Sequence, residues 1–97
     1  MTEEKDLPEI SIDSIKDALR IDGSQDDLMI KSYIDTAKDY VASAITNSSD
    51  IDFMKLKKYR LAVILLVQFW YSNRTTDMKQ TPYQVVSLIQ QLRGELW

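Results

Sequence analysis

Eleven consecutive residues, Leu61 to Tyr71 (LAVILLVQFWY), carry one strongly polar side chain, Gln68. A segment so uniformly apolar is stable in water only when other parts of the chain wrap it, so the fold has to be built around it. Its length falls well short of the roughly 18 to 20 apolar residues that cross a bilayer, and the charged KLKKYR stretch precedes it, which excludes a membrane span. A buried strand shares this pattern, since periodicity alone does not separate a short apolar strand from a buried helix. Length and the absence of flanking glycine favour a helix. With only two glycines and two prolines in 97 residues, the chain also lacks the turn residues that a sandwich or barrel needs.

Helical periodicity recurs on both sides of this run. Ser11 is placed to cap a first helix in which Ile12, Ile15 and Leu19 fall on one face, running to about Arg20. Asp22-Gly23 reads as its stop, because glycine tolerates the left-handed conformation that closes a helix, and Ser24 reads as the cap of the next. That second helix spans roughly Gln25 to Thr46, with Ile30, Tyr33, Ile34, Ala37, Val41, Ala44 and Ile45 on one stripe. Lys31 and Asp35 pair four residues apart on its opposite face. TNSSDID (residues 46–52) is rich in side chains that compete for backbone hydrogen bonds and marks a loop, with the third helix starting just beyond it. After the polar stretch SNRTTDMKQ (72–80), Thr81-Pro82 reads as a cap and a proline at the first helical position. Val85, Leu88, Ile89 and Leu92 then form the stripe of a fourth helix that Gly94 is placed to end. The expectation is an all-α fold, a compact bundle of about four helices around a buried apolar third helix. Residues 1–10 form a flexible acidic N-terminal tail and 11–97 a single domain. The tail has neither a cationic start nor an apolar stretch, so it does not read as a secretory signal, and synthesis in the cytoplasm is expected.

Composition removes most chemistry. The chain has no cysteine and no histidine, which takes away thiol nucleophiles, disulfides, Cys/His zinc sites and the usual general base near neutral pH. No glycine-rich phosphate loop occurs, and serines and threonines without histidine do not assemble into a nucleophilic mechanism. The chain is therefore read as a protein without catalysis, cofactor or metal. Asp22, Asp26 and Asp27 lack the alternating ligands and terminal glutamate of a calcium loop and are explained by the preference of acids for helix N-termini. A net charge of −3 argues against binding nucleic acid through the overall field. Lys55, Lys57, Lys58 and Arg60 are the densest basic cluster, but at about 100° per residue they splay around a helix. A solvated collar is the stronger reading and a DNA-backbone contact the weaker one. Phe69, Trp70 and Tyr71 are consecutive, so they do not all face one core. Either one of them reaches an interface, or the bundle encloses the segment and the Tyr71 hydroxyl points at solvent; Tyr83 and Trp97 raise the same choice.

Three segments carry a family likeness: YIDTAKDYV (33–41), LAVILLVQFWYSNR (61–74) and PYQVVSLIQQLR (82–93), joined by LRID (19–22). In order and spacing they resemble the small head-tail connector proteins of tailed phages and prophages, also described as DNA-packaging proteins, and they cover most of the chain. Gln68-Phe69 departs from the polar-aromatic pair common in that family. The resemblance implies an all-helical virion structural protein, an adaptor that forms a homo-oligomeric ring of about twelve copies beneath the portal protein. It further implies a second head-tail joining protein as partner, genome DNA passing through the ring, no membrane, and a path from the host cytoplasm to the head-tail junction. Under this reading Trp70, Tyr71, Asn73, Arg74 and Tyr83 serve contacts between subunits or the loop that shapes them. Two other readings stay open: a helix-turn-helix DNA-binding regulator, and an interaction module that binds one partner helix without forming a ring.

Overall fold

A computed structural model of the chain describes residues 9–45, 51–73 and 81–96. Four helices follow one another: α1 (Ile12–Leu19), α2 (Asp27–Ile45), α3 (Lys57–Ser72) and α4 (Tyr83–Leu96), with a 3-10 turn at Phe53–Lys55 leading into α3. No strand occurs among the described residues. The all-α expectation holds. The N-terminal residues 1–8, Arg74 and Trp97 lie outside the described residues.

The start of α1 forms where Ser11 and Ser14 satisfy each other's exposed amides. The Ser14 N–H donates to Ser11 Oγ at 3.0 Å and the Ser11 N–H to Ser14 Oγ at 3.0 Å, a capping box with serine in the position usually held by glutamate. Such a cap is worth about 1 kcal/mol. The end of α1 differs from expectation. Its left-handed closing residue is Arg20, at φ 58°, whose N–H reaches back to Asp17 and Lys16 carbonyls, while Gly23 (φ 86°) serves the turn beyond. Ser24 likewise does not begin α2: its carbonyl accepts the Asp27 N–H at 3.2 Å, and Asp26 occupies the cap position, its carbonyl accepting from Ile30 at 2.9 Å.

Pro82 precedes α4, its carbonyl accepting the N–H groups of Val85 and Val86 at 3.0 and 3.1 Å. It therefore sits one position earlier than expected. Thr81 makes a tertiary contact instead, its Oγ1 lying 2.9 Å from the Tyr40 hydroxyl. Gly94 is interior to α4, without a positive φ, and α4 continues to Leu96.

The core is apolar throughout: among the described residues none that is polar or charged is fully buried. Ala62, Val63, Leu66, Val67 and Trp70 of α3 are buried against Ile30, Ile34, Ala37, Val41 and Ile45 of α2 and Val85, Ile89 and Leu92 of α4, with Ile15 contributed by α1. Each such aliphatic side chain contributes about 1.5–3 kcal/mol on burial. The two most extensive helix pairings, with α2 and with α4, both belong to α3, which also meets α1, so α3 is the hub of the bundle. Even so, it is not wrapped on every side. Leu61 is 37% exposed and Ile64, Leu65, Gln68 and Phe69 are half-buried, since three neighbours of this size leave one flank of the hub open.

Polar contacts fix how the helices run. The Tyr71 hydroxyl, near the end of α3, donates to Asp26 Oδ2 at the start of α2 (2.5 Å), and the Tyr59 hydroxyl at the start of α3 donates to the Lys38 carbonyl (3.2 Å). Thus α2 and α3 are antiparallel. Lys58 pairs with Glu95 at the far end of α4, which sets α4 antiparallel to α3. Lys16 binds Asp27 at 2.8 Å and so ties α1 to α2, and that hydrogen bond holds the Lys16 ammonium above the ordinary lysine range. Lys31 and Asp35 meet at 2.9 Å as their spacing predicts, and the hydrogen bond from Lys31 holds Asp35 below the usual carboxylate value. Both groups of this pair are well exposed, so it adds little to stability.

Two outcomes check this description. An added Cβ at Gly94 meets nothing within 4 Å, and the backbone there is helical. Gly94→Ala is therefore expected to stabilise the protein by about 0.5–1 kcal/mol in chemical denaturation. Were Gly94 the left-handed stop of the helix, the same change would destabilise it. Burial raises the Tyr59 phenol above the ordinary tyrosine value, and the nearby Asp39 carboxylate adds to the rise. A group raised on folding contributes stability that is complete below its unfolded pKa and lost as pH climbs through the folded one. Phenolate absorbance should show a late-titrating component that Tyr59→Phe removes, with stability falling above about pH 10; an unchanged titration in that variant would contradict the assignment.

Candidate assembly surface

The residues singled out by their aromatic and polar character separate into those that build the bundle and those that face outward. Trp70 belongs to the first group. It is 5% exposed and meets Tyr33 edge-on, the ring centroids 5.9 Å apart, and its indole N–H has no partner among the described residues. Tyr71 is also tied inward, through the Asp26 hydrogen bond, so its hydroxyl is not directed at solvent as the enclosed-bundle alternative expects. Asn73 caps α3: its backbone N–H and its side-chain amide both donate to the Phe69 carbonyl, at 3.0 and 2.9 Å. These three fix where the chain leaves α3.

Tyr83 is different. At the first turn of α4 it is 81% exposed, and Val86, one turn on, is 36% exposed. A tyrosine presenting most of its surface to water is a rigid amphipathic contact, the side chain most enriched in protein interfaces together with tryptophan and arginine. Leu28, at the start of α2, is 83% exposed and was not marked by periodicity, because it lies off the apolar stripe. Between α3 and the start of α4 runs an open groove of about 300 Å³, lined by Leu65, Gln68, Phe69, Ser72, Asn73, Pro82 and Gln84. Its lining combines apolar surface with uncharged polar groups and no titratable side chain, so it offers no acid, base or nucleophile of ordinary strength.

Three of the four side chains in the basic cluster engage groups of the same chain. Lys55 lies 3.8 Å from Asp52, Lys58 pairs with Glu95, and Arg60 Nε donates to the Met54 carbonyl at 2.5 Å. Lys57 is exposed. Lys55, Lys58 and Arg60 fasten the 3-10 turn and the end of α4 to the start of α3. Asp22, Asp26 and Asp27 also resolve into separate tasks: Asp27 holds Lys16, Asp26 accepts from Tyr71, and Asp22 is exposed. Among the described residues no group of three or more acids could hold a metal ion.

The tertiary hydrogen bonds were the part of this surface that sequence could not supply. Tyr71–Asp26 joins residues 45 apart and Tyr40–Thr81 residues 41 apart, distances at which no local spacing carries a signal. Nor does any helix among the described residues have the length and apolarity to cross a membrane.

No curated protein and no solved structure matches the chain. The family model described as the phage gp6-like head-tail connector protein matches residues 9–93, which take in all four helices up to the last turn of α4. An aromatic side chain presented at the surface, Tyr83, is in keeping with a part that meets other proteins. By that match the chain belongs to the gp6-like head-tail connector family of phages, whose role is structural and whose place is the junction of head and tail.

Proposed function

We propose that this chain is the repeating subunit of a connector ring that docks beneath the portal and joins it to the next head-tail protein, with the genome passing through its centre. The observation that carries the reading, beside the family match, is the exposed Tyr83 on a helix whose residues from Tyr83 to Leu92 bear no charge. Interface centres are depleted in charged residues and enriched in aromatic ones. A ring requires each subunit to present two different faces, and a short bundle with exposed Tyr83 and Val86 on α4 and Leu28 on α2 has apolar points with which to meet its neighbours. Tyr83 makes the direct contact. Tyr71 and Asn73 hold the end of α3, Trp70 supports it from the core, and Arg74 follows in the segment that leads towards α4. About twelve copies, assembled in the host cytoplasm, would complete the ring.

DNA contact is assigned a lesser part. Three of the four basic side chains from Lys55 to Arg60 already bind groups of the same chain, and the net charge of −3 gives the phosphates little to attract them. A weakly attractive wall suits a passage through which DNA must slide. The regulator reading lacks a recognition helix: α4 carries Arg93 as its one basic residue, and α2 opens on Asp27.

Light scattering over a wide concentration range, alone and with a portal protein, reads the proposal directly. A discrete ring, or a stable complex with the portal, is expected. A chain that ignores the portal and retards DNA in a gel would establish the regulator reading in its place. Tyr83→Ala is expected to weaken assembly about tenfold or more while changing the stability of the isolated chain by no more than about 0.5 kcal/mol. Unchanged assembly, or unfolding of the chain, would remove Tyr83 from the interface.

A further inference from the structure

Backbone hydrogen bonds divide the chain at Asp22-Gly23. On one side, α1 satisfies both of its own ends: Ser11 and Ser14 cap its start, the Arg20 N–H returns to the Asp17 and Lys16 carbonyls, and the Ile21 N–H donates to the Lys16 carbonyl at 2.9 Å. On the other side, α2 begins from its own turn, the Asp27 N–H donating to the Ser24 carbonyl and the Ile30 N–H to that of Asp26. Among the described residues no backbone hydrogen bond joins residues 11–21 to anything beyond Gly23. The segment can leave the bundle without breaking the backbone pairing of any other element.

Two positive φ angles bracket this seam, Arg20 at 58° and Gly23 at 86°, and no other described residue has one. Glycine takes the left-handed conformation freely. Arginine takes it at a cost, because its Cβ crowds the following carbonyl. Strain of this kind persists only where the surrounding structure holds it, and it gathers at joints that change conformation.

What holds α1 down is small. Ile15 is its one buried residue, whereas α2 buries five and α3 six. Ile12 and Leu19 are half-buried at the edge of the core. Lys16 adds its pairing with Asp27, on the first turn of α2. At eight residues α1 is also too short to hold its form unaided, since isolated helices below about 12–15 residues are marginal in water.

From these observations we infer that α1 is a latch. With Arg20 and Gly23 as its hinge and the Lys16–Asp27 pair as its catch, it leaves α2 and α3 as a unit while α2, α3 and α4 stay folded, and it bares the apolar edge that Ile15 covers. This is a property of the free chain and does not rest on the connector reading.

Native-state hydrogen exchange on the full chain in low concentrations of urea tests the latch. Corrected for intrinsic rates, the amides of Ile15 to Ile21 should exchange at least about tenfold faster than those of Ala62 to Val67, with a shallower dependence on urea, because opening the latch exposes less surface than unfolding the bundle. Lys16→Met removes the catch and should speed α1 about threefold. Arg20→Gly relieves the hinge and should slow it about threefold. Ile45→Val, at the opposite end of α2 from Asp27, should speed the amides of Ala62 to Val67 about fivefold and leave those of α1 unchanged, since its effect is the same with the latch open or closed. Circular dichroism unchanged from the parent chain confirms that each variant is folded. Amides of α1 that share the rates and urea dependence of α3, that are sped by Ile45→Val, or that ignore Lys16→Met or Arg20→Gly would each overturn the inference. No assembly enters the measurement, so each of these results leaves the connector reading standing.

Discussion

Everything in this bundle depends on the burial of one side of α3. Ala62, Val63, Leu66 and Val67 are wholly removed from water, and the stripes of α2 and α4 find most of their cover on the helix that carries them. Among the described residues the core side chains are hydrophobic, so orientation comes from the polar contacts at the margins. Tyr59 on the Lys38 carbonyl, Tyr71 on Asp26, Tyr40 on Thr81 and Lys58 on Glu95 each join the rim of one helix to another element. Such bonds contribute about 1 kcal/mol apiece, much less than the core, yet an alternative packing of the same apolar stripes would lose them.

The fold was legible because its signals are local. An apolar run at Leu61 to Tyr71, stripes at 3.6-residue spacing and a serine before Ile12 are enough to place four helices. Helix ends were less legible, for reasons that particular residues make plain. Arg20 takes the left-handed position although Gly23 stands three residues later, since the closing bonds to Asp17 and Lys16 fix where the helix must stop and the arginine side chain tolerates the conformation at a modest cost. Gly94 stays helical because nothing beyond it calls for a turn before Leu96. Sequence marked Trp70, Tyr71 and Tyr83 alike as large aromatics, whereas the structure gives them a core position, a tertiary hydrogen bond and open solvent respectively. Only three-dimensional neighbours distinguish those fates.

Division of labour between the helices follows from the same hub. The charged residues of α1 and α2 face water or pair among themselves, while α3 from Leu61 to Ser72 and α4 from Tyr83 to Leu92 are uncharged. The groove beside α3 is lined by apolar and uncharged polar side chains. Membership in the head-tail connector family fits this: a part of a junction needs a rigid body and faces to be met, and a well-buried hydrophobic core supplies the first while leaving the surface free to supply the second.

Amide hydrogen exchange, followed on the free chain and on the chain within an assembled head-tail junction, tests this account most directly. The amides of α3 from Ala62 to Val67 should exchange slowest and by the same global route in both states, while the first turn of α4 around Tyr83 gains protection only on assembly. Rapid exchange in α3 of the free chain, or an assembled junction in which Tyr83 and its neighbours are as open as before, would contradict the claim that one helix holds the body together and that the body is built to be docked.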